Sequence, residues 1–375
     1  MKILYNIAGT YRSGGMERVL ANKVNWLAKH GYEVVVATTD QCGRTPFFQM
    51  DERVRFVDLG VNYEETNGKS FLNKLWNFFP KQRLHKKRLN ALLRQECPDV
   101  TVSMFCNDVN FLAGLRDGSK KILEIHFAKL KRLQYGRKGI WGLADHFLMK
   151  VDECKVRKFD RFVVLTEEDK QYWKSQDNIQ VIPNALTFDG DEVSSLSHHK
   201  AIAVGRLTYQ KGFDRLIEAW EFVNECCPDW KLDIVGSGED RETLNQMIIE
   251  KGLAKVVNIV DSTEDMPSVY LHSSLLILTS RYEGFGLVLT EAHSFGVPTV
   301  SYDCKCGPSE IVQNGVNGFL VEEGNVEKLA EKIIQILQDD DLRCKMGKAA
   351  KLSSKDFAEE KVMSQWENLF KGVVR

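Results

Sequence analysis

Short runs of β-branched and other apolar residues alternate with helix-length amphipathic segments along almost the whole chain. In the first half the apolar runs include KILYNIA, YEVVVATT, DVTVSMF, KKILEIH and RFVVLT. Nearly continuous apolar strands of this kind are typical of parallel sheets that helices cover on both faces. The alternation therefore predicts an α/β fold with a doubly wound parallel sheet.

The alternation stops once and then restarts, which divides the chain in two. Residues 179–200 form a polar stretch with Pro, Asn, Gly and Ser, after which runs such as AIAVGRL, KLDIVGSG and LLILTS resume the pattern. A chain of 375 residues also has the length of two ordinary domains. We predict four segments: an N-terminal domain over 1–182, a linker over 183–199, a second α/β domain over 200–354, and an amphipathic helix over 355–375 that packs on the first domain.

Charge is distributed unevenly between these parts. Residues 1–180 carry 31 basic and 21 acidic side chains, whereas residues 181–375 carry 20 and 31, so the two domains are expected to face different partners. The segment 69–94 has eight basic side chains, no acidic one, and interleaved aromatic residues, and a second basic stretch covers 120–138. A basic, aromatic segment is typical of an anionic membrane surface, although a solvated helix face has the same composition.

Composition argues against several other classes of protein. No apolar run approaches the ~20 residues of a membrane span, and the first fifteen residues lack the apolar region and cleavage site of a secretory signal. The nine cysteines are scattered without a CxxC pair, which argues against a zinc site or a disulfide framework and for a cytoplasmic protein. No recognised nucleic-acid-binding module accompanies the basic stretches, so no nucleic-acid partner is expected.

Two glycine- and cation-bearing loops follow predicted strands, where ligands of open α/β sheets bind. In GTYRSGGMERV, Gly14 and Gly15 either present bare N–H groups to an anion or simply allow a tight turn. Their spacing does not match G-x-G-x-x-G, which argues against a dehydrogenase. In VGRLTYQKG, Arg206 and Lys211 either converge on a diphosphate or are solvated surface cations.

A third loop, SRYEGFGLVLTEAHSFG, places two glutamates eight residues apart. Glu283 ends a predicted strand, and Glu291 lies on the helix that follows. Gly284 and Gly286 would let the backbone approach a ligand, and Glu291 could accept two hydrogen bonds from the cis-diol of a ribose. For an isolated pair at this spacing, the alternative is one loop carboxylate and one exposed helix carboxylate.

Taken in order, GGMERV, VGRLTYQKGFDRLIEA, VGSGED and the stretch from Ser280 to Gly324 resemble glycosyltransferase family 4. The resemblance covers most of the chain and is densest over 200–330, where E-x7-E precedes A-x-x-x-G-x-P and N-G-x-x-G-x-L-V. It implies the GT-B fold, with two Rossmann-like domains facing a central cleft. It also implies retaining transfer of a hexose or N-acetylhexosamine from a nucleotide-diphosphate sugar, with UDP the expected nucleotide, to a saccharide acceptor.

The resemblance also implies a role for each motif residue. Glu283 would contact donor-sugar hydroxyls near the reacting carbon, and Glu291 would hold the ribose. Arg206 and Lys211 would neutralise the diphosphate, so neither a metal nor another cofactor is expected. His126, in LEIHFAK, matches a histidine that contacts the transferred sugar, although a histidine at a strand end is otherwise more often packed or solvated. The other expected donor contacts come from Gly14, Gly15, Gly236, Gly284, Phe285, Gly286 and Leu287.

The acceptor is predicted from the basic first domain, which binds the acceptor in this family. We expect a lipid-linked saccharide, with the protein attached through residues 69–94 to the cytoplasmic face of the membrane. Two other functions stay open. One is another enzyme of the same fold, such as a nucleotide-sugar epimerase or a phosphorylase, and the other is a non-catalytic sugar-nucleotide-binding protein.

Overall fold

The computed structural model describes residues 1–66, 68, 70–134, 139–173, 177–188 and 192–375. Within them the chain divides into two compact units. Unit 1 comprises Met1–Ala185 together with Glu360–Arg375, and unit 2 comprises Leu186–Glu359. Each unit is built on a parallel sheet with helices packed on it, as the alternating sequence pattern predicts. Of the predicted basic stretches 69–94 and 120–138 and the predicted linker 183–199, residues 69, 135–138 and 189–191 lie outside the described residues.

Unit 1 contains a parallel sheet whose described strands follow the order β3-β2-β1-β4-β5-β6-β7. The strands are β1 (Lys2–Ile7), β2 (Glu33–Thr38), β3 (Arg55–Asp58), β4 (Val100–Ser103), β5 (Lys120–Glu124), β6 (Arg161–Val164) and β7 (Ile179–Val181). The helices before the boundary are α1 (Gly15–Lys29), α2 (Phe71–Glu96), α3 (Lys131–Gln134), α4 (Ile140–Val156) and α5 (Glu167–Tyr172). Short 3-10 turns lie at Tyr63–Thr66, Asn107–Asn110 and Leu112–Gly114. The strand order reverses between β1 and β4.

Unit 2 repeats this plan, and its described strands follow the order β10-β9-β8-β11-β12-β13. The strands are β8 (Lys200–Val204), β9 (Lys231–Val235), β10 (Val257–Val260), β11 (Leu275–Leu278), β12 (Thr299–Tyr302) and β13 (Gly318–Val321). The helices are α6 (Phe213–Cys226), α7 (Arg241–Glu250), α8 (Met266–Leu271), α9 (Leu287–Ser294), α10 (Pro308–Ile311), α11 (Val326–Gln338) and α12 (Asp340–Ser354). Two 3-10 turns lie at Tyr209–Lys211 and Lys355–Phe357. The order reverses between β8 and β11.

The last helix, α13 (Glu359–Val374), belongs to unit 1. Its apolar residues recur at helical spacing and are buried in the core that also holds Ile3 and Tyr5 of β1. The buried residues of α13 are Val362, Met363, Trp366, Leu369, Phe370 and Val373. The amphipathic helix predicted over 355–375 does pack on the first domain, but it begins only at Glu359, and residues 355–358 belong to unit 2.

Part of the segment predicted as a linker packs on unit 2. The Ser194 backbone N–H donates to the Phe295 carbonyl at 2.8 Å, and its hydroxyl donates to the Ser273 carbonyl at 2.7 Å. The Leu196 carbonyl accepts a hydrogen bond from Arg343 Nε at 3.1 Å. These hydrogen bonds hold residues 194–196 on unit 2. The polar residues that suggested a linker also provide hydrogen-bonding groups, and here those groups bind unit 2.

The described helices include none that is both long and apolar enough to cross a lipid bilayer. The longest, α2, has 26 residues but contains Pro80 and many charged side chains.

Candidate active site

The candidate residues of unit 2 lie in loops at the carboxyl edge of its sheet. One loop follows β8 and carries Arg206 and Lys211, and another follows β11 and carries Glu283. Because β8 and β11 are neighbouring parallel strands at the point where the strand order reverses, their loops leave the sheet side by side and diverge. This is the position at which open α/β sheets bind ligands.

Glycines allow the loops of this edge to stack closely. A Cβ added to Gly236, which follows β9, would lie 1.9 Å from the Gly205 carbonyl oxygen. A Cβ added to Gly205 would lie 2.8 Å from Lys211 Cε, so the aliphatic chain of Lys211 rests against bare backbone. Gly236 was predicted as a donor contact, and the structure shows a packing requirement for glycine there.

The structure brings Lys211 and Glu283 together. Lys211 Nζ donates to Glu283 Oε1 at 2.7 Å, and the Ser280 hydroxyl donates to the same oxygen at 2.6 Å. The Glu283 side chain is 9% exposed and that of Lys211 is 16% exposed. Two hydrogen bonds to one oxygen, from an ammonium and a hydroxyl, hold this carboxylate in a fixed direction.

Arg206 lies in the same loop but is placed differently. Its side chain is exposed, and within the described parts of the chain no salt bridge or side-chain hydrogen bond involves it. The two cations that were predicted to act together therefore differ. The Lys211 ammonium is already bonded to a carboxylate, whereas the Arg206 guanidinium is exposed and can bind an anion.

The glycine turn between the two glutamates opens helix α9. Gly286 has φ of +91°, in the left-handed region that favours glycine, and no side chain caps the helix that begins at Leu287. The first N–H groups of α9 are therefore available to an anion. Phe285 is buried edge-on against Phe357, with ring centroids 5.5 Å apart, and a Cβ on Gly307 would lie 2.3 Å from the Phe285 carbonyl oxygen. Gly284, between Glu283 and Phe285, is half-buried.

Glu291 is buried within α9, and its carboxylate has a partner that the sequence did not reveal. The hydroxyl of Tyr270 on α8 donates to Glu291 Oε2 at 2.6 Å. Burial, and then the neighbouring Glu291 carboxylate, raise the pKa of Tyr270 well above its ordinary value. Tyr270 therefore stays protonated and fixes one oxygen of Glu291 as an acceptor.

In unit 1, Gly14 and Gly15 lie at the start of α1. Gly14 precedes the helix without a side-chain cap, and a Cβ there would lie 2.3 Å from Glu17 Oε2. A first-turn carboxylate therefore lies against the backbone predicted to meet an anion. Glu17 also interacts with the helix N-terminus in the favourable sense.

His126 follows β5 and belongs to a buried charged cluster. Its Nε2 lies 3.0 Å from Glu124 Oε1, an ion-pair distance without hydrogen-bond alignment, and its side chain is 6% exposed. Lys23 Nζ donates to the same carboxylate and lies 3.6 Å from the ring centroid of Trp366 on α13. Although burial opposes it, the charges of Lys23 and His126 lower the pKa of Glu124 to about 2.

Sequence reasoning missed several partners of the predicted residues. The pairs Tyr270–Glu291 and Lys23–Glu124 join positions 21 and 101 residues apart, so spacing gave no signal for them. Ser280 lies three residues before Glu283, and its place close after strand β11 was the available hint. Across the described residues, no group of three or more His, Cys, Asp or Glu side chains is arranged to hold a metal ion.

Two family models match the chain and together span most of it. Residues 13–189 match the model described as Glycosyltransferase Family 4, and residues 191–353 match the one described as Glycosyl transferases group 1. The first match covers unit 1 from residue 13 to the boundary, and the second covers the sheet and loops of unit 2.

Individual proteins show the same similarity over their whole length. An uncharacterized glycosyltransferase of Haemophilus influenzae is 30% identical, with 98% of this chain and 99% of that protein covered. The amylovoran biosynthesis glycosyltransferase AmsD of Erwinia amylovora is 28% identical over the same shares. A crystal structure of an S. aureus TarM mutant with fondaparinux, α-GlcNAc-glycerol and UDP has a TM-score of 0.79 at 18% identity, covering 98% of this chain and 99% of that one.

Proposed function

The chain belongs to the glycosyltransferases of family 4 and group 1, and from that premise we propose that it transfers a hexose or N-acetylhexosamine from a nucleotide-diphosphate sugar to a saccharide acceptor. The observation that carries this proposal is the Lys211–Glu283 pair, held at 2.7 Å beside the uncapped start of α9. A cation, a fixed carboxylate and free backbone N–H groups supply what a sugar diphosphate needs. The setting is the synthesis of a surface polysaccharide or related glycan.

The donor is held by groups with separate tasks. Arg206 and the N–H groups of α9 bind the diphosphate, and Glu291 accepts hydrogen bonds from the ribose. The Lys211 ammonium has three N–H donors, so it can hold Glu283 with one and a phosphate oxygen with another. Glu283 accepts hydrogen bonds from hydroxyls of the sugar. UDP is the proposed nucleotide, supported by its presence in the TarM crystal structure.

Transfer breaks the bond between the anomeric carbon and the diphosphate oxygen and forms a bond from that carbon to the acceptor oxygen. Negative charge develops on the departing diphosphate, where Lys211, Arg206 and the start of α9 stabilise it electrostatically without a metal. The acceptor proton passes to a donor phosphate oxygen on the same face of the sugar. This course retains the anomeric configuration.

The roles proposed for unit 1 toward the donor follow from family membership alone. His126 is assigned to the transferred sugar, and Gly14 and Gly15 to the diphosphate end. His126 Nε2 lies 3.0 Å from the Glu124 carboxylate, in the buried cluster described above.

The acceptor is proposed to be lipid-linked, which places the protein at the cytoplasmic face of a membrane. Support comes from the outer stripe of α2, defined here as Trp76, Phe79, Arg83, Lys86 and Lys87. The side chain of Trp76 is 84% exposed, and the three cations are exposed and have no side-chain partner among the described residues. Spacings of three, four, three and one residues place all five on one helical face.

Other basic residues of α2 are used internally. Lys81 Nζ donates to Glu65 at 3.1 Å, and Arg88 NH1 donates to the Gly60 carbonyl at 2.8 Å. The membrane surface is therefore assigned to the outer stripe of α2 and not to the whole basic segment.

Helix α4 also exposes apolar residues. Leu143 and Phe147 are 73% and 66% exposed. Both α2 and α4 contact the turn Asn107–Asn110 that follows β4. Because each helix connects two parallel strands, each begins at the carboxyl edge of the sheet, and their exposed apolar residues lie in their first halves. Aromatic and aliphatic side chains with adjoining cations match an anionic bilayer.

The experiment that tests the proposed function measures release of free nucleotide from a panel of UDP-, GDP- and ADP-sugars with EDTA present. Each donor is tested without acceptor and then with a membrane lipid extract. The proposal predicts slow hydrolysis of one donor that the extract accelerates. Turnover of no donor would contradict a transferase, and an epimerised sugar formed regardless of acceptor would indicate the epimerase.

A further inference from the structure

The loops after β8 and β11 are tied to each other by hydrogen bonds that do not involve Lys211 Nζ or Glu283. The Arg281 backbone N–H donates to the Gln210 carbonyl at 2.8 Å, and Gln210 Nε2 donates to the Tyr282 carbonyl at 3.1 Å. The Thr279 hydroxyl donates to the Lys211 carbonyl at 3.0 Å. We call this contact between residues 209–214 and 279–283 the loop clasp.

The Arg281 side chain lies at the centre of the loop clasp. Its NH1 and NH2 atoms donate to Asp214 Oδ1 and Oδ2 at 3.0 and 2.5 Å, a two-pronged pairing with the first turn of α6. NH1 also donates to the Tyr209 carbonyl at 2.7 Å, and the guanidinium lies 3.9 Å from the Tyr209 ring centroid. One side chain thus joins the strand-β11 loop to both ends of the turn that carries Lys211.

The strength of the Arg281–Asp214 pairing depends on the partial burial of both side chains and on the planar shape of the guanidinium. The Arg281 side chain is 11% exposed, whereas that of Asp214 is 45% exposed. Although burial opposes it, the hydrogen bonds from Arg281 lower the pKa of Asp214. A planar guanidinium can serve a carboxylate fork, a carbonyl and an aromatic face together, which a lysine ammonium cannot.

We infer that Arg281, paired with Asp214, is a positioning residue that sets Lys211 against Glu283 without touching the donor. This inference rests on the proposed function, because it assigns Arg281 a task in the same site. In the sequence, Lys211 lies between Tyr209 and Asp214, the two residues to which the Arg281 side chain donates hydrogen bonds. Glu283 lies two residues after Arg281. Loss of these hydrogen bonds would let the cation and the carboxylate shift by a fraction of an ångström or more, and misplacement of that size slows catalysis.

The test compares Arg281→Gln, Arg281→Lys and Asp214→Asn in the 375-residue chain. We expect Arg281→Gln and Asp214→Asn to lower kcat by roughly 10- to 100-fold, with Arg281→Lys between them and the parent protein. Binding of UDP should weaken several-fold while binding of UMP stays unchanged, because the proposed partner of Lys211 is the phosphate that UMP lacks. GDP and GMP replace them if the donor panel selects guanosine. A purely structural role would weaken both nucleotides together.

The control is Glu221→Gln on the same helix. Glu221 is 45% exposed, as is Asp214, and it pairs with Lys251 at 2.6 Å away from the loop clasp. This variant should keep the kcat and the UDP-to-UMP affinity ratio of the parent. Asp214→Asn removes the partner but leaves Arg281 in place, so it reports on positioning even if Arg281→Gln folds poorly.

Two outcomes would overturn the inference. One is kcat and an affinity ratio within twofold of the parent in both Arg281→Gln and Asp214→Asn. The other is equal loss of UMP and UDP binding accompanied by a lower Tm. Failure of the proposed function is separate, since it appears as a parent protein that turns over no nucleotide sugar, and the affinity ratio still decides whether the loop clasp positions Lys211.

Discussion

At the residue scale, one carboxyl group in unit 1 is held where its charge is unfavourable. Asp108, after β4, is completely buried, and burial raises its pKa to about 6 from an ordinary value of 3.8. The Ser103 hydroxyl donates to Asp108 Oδ1 at 2.8 Å, while Oδ2 has no hydrogen-bond partner among the described residues. The folded chain therefore binds this proton more tightly than the unfolded chain does.

The consequence is a pH-dependent effect of Asp108→Asn. Because the folded pKa lies above the unfolded one, the parent's stability from this group is present below about pH 4 and is lost as pH rises through about 6. The stability of Asp108→Asn relative to the parent should rise by about 1–2 kcal/mol between pH 5 and pH 8. Thermal or denaturant unfolding of unit 1 at both pH values measures it. The exposed Asp229→Asn serves as control, and an unchanged difference for Asp108→Asn would refute the assignment.

Single residues also show which features of the candidate site could be predicted from the sequence. The spacing of Glu283 and Glu291 predicted two carboxylates around a glycine turn, and the structure has that turn at Gly286. The position of Lys211 after a strand did not predict that its ammonium bonds Glu283. Such a contact depends on which strands are neighbours, and a chain order of β8 to β11 does not reveal that they are adjacent.

At the element scale, α13 closes the core of unit 1. Trp366 is 2% exposed, and its ring lies over the ammonium of Lys23, which is itself bonded to Glu124. Deleting such a ring leaves a cavity and removes a contact from a buried cation. The helix therefore supports both the packing of β1 and the charged cluster that holds His126.

We predict that Trp366→Ala destabilises unit 1 by about 3–5 kcal/mol. Hydrogen exchange is the suitable measurement, because two units need not unfold together. Amides of β1 should exchange faster by two orders of magnitude or more, whereas amides of β8 in unit 2 act as the internal control. Unchanged protection of β1 would show that α13 is not part of the folded core of unit 1.

A second prediction at this scale concerns the outer stripe of α2. Changing Arg83, Lys86 and Lys87 to glutamine should weaken binding to anionic vesicles at least tenfold, since each cation near such a surface contributes about 1 kcal/mol. Co-sedimentation with vesicles of phosphatidylglycerol and phosphatidylcholine measures this, and vesicles of phosphatidylcholine alone should bind neither protein.

The charge-matched control changes three exposed lysines of unit 2, Lys255, Lys345 and Lys348, to glutamine. It alters the net charge by the same amount and should leave vesicle binding intact. Equal loss of vesicle binding in the two triple variants would show that net charge alone explains the effect. Full binding by the α2 variant would remove the membrane assignment of that stripe.

Helices and strands were predicted with unequal success for a physical reason. Buried parallel strands are apolar on both faces, so runs such as KLDIVGSG marked them directly. Helix ends were harder: the run FGLVLTEAHSFG reads as helical from its start, but α9 begins only at Leu287, after the left-handed glycine. The polar segment 183–199 could not show which unit would bind it.

At the scale of the whole molecule, two parallel-sheet units follow from one repeated pattern in the sequence. The basic excess of residues 1–180 and the acidic excess of residues 181–375 divide along nearly the same line as the two units. We propose that this division separates acceptor and membrane binding in unit 1 from donor binding in unit 2. In this proposal, the carboxyl edge of unit 2 holds a sugar diphosphate, and Glu283 is directed at the sugar.

The measurement that tests this claim most directly compares transfer and nucleotide binding in Glu283→Gln. The amide keeps the size of the side chain and an oxygen for Ser280 but removes the charge that faces the sugar hydroxyls and Lys211. We expect transfer to fall about 100-fold or more, with UDP affinity kept within a few-fold of the parent. Parallel loss of transfer and UDP binding, or transfer at the parental rate, would contradict the claim.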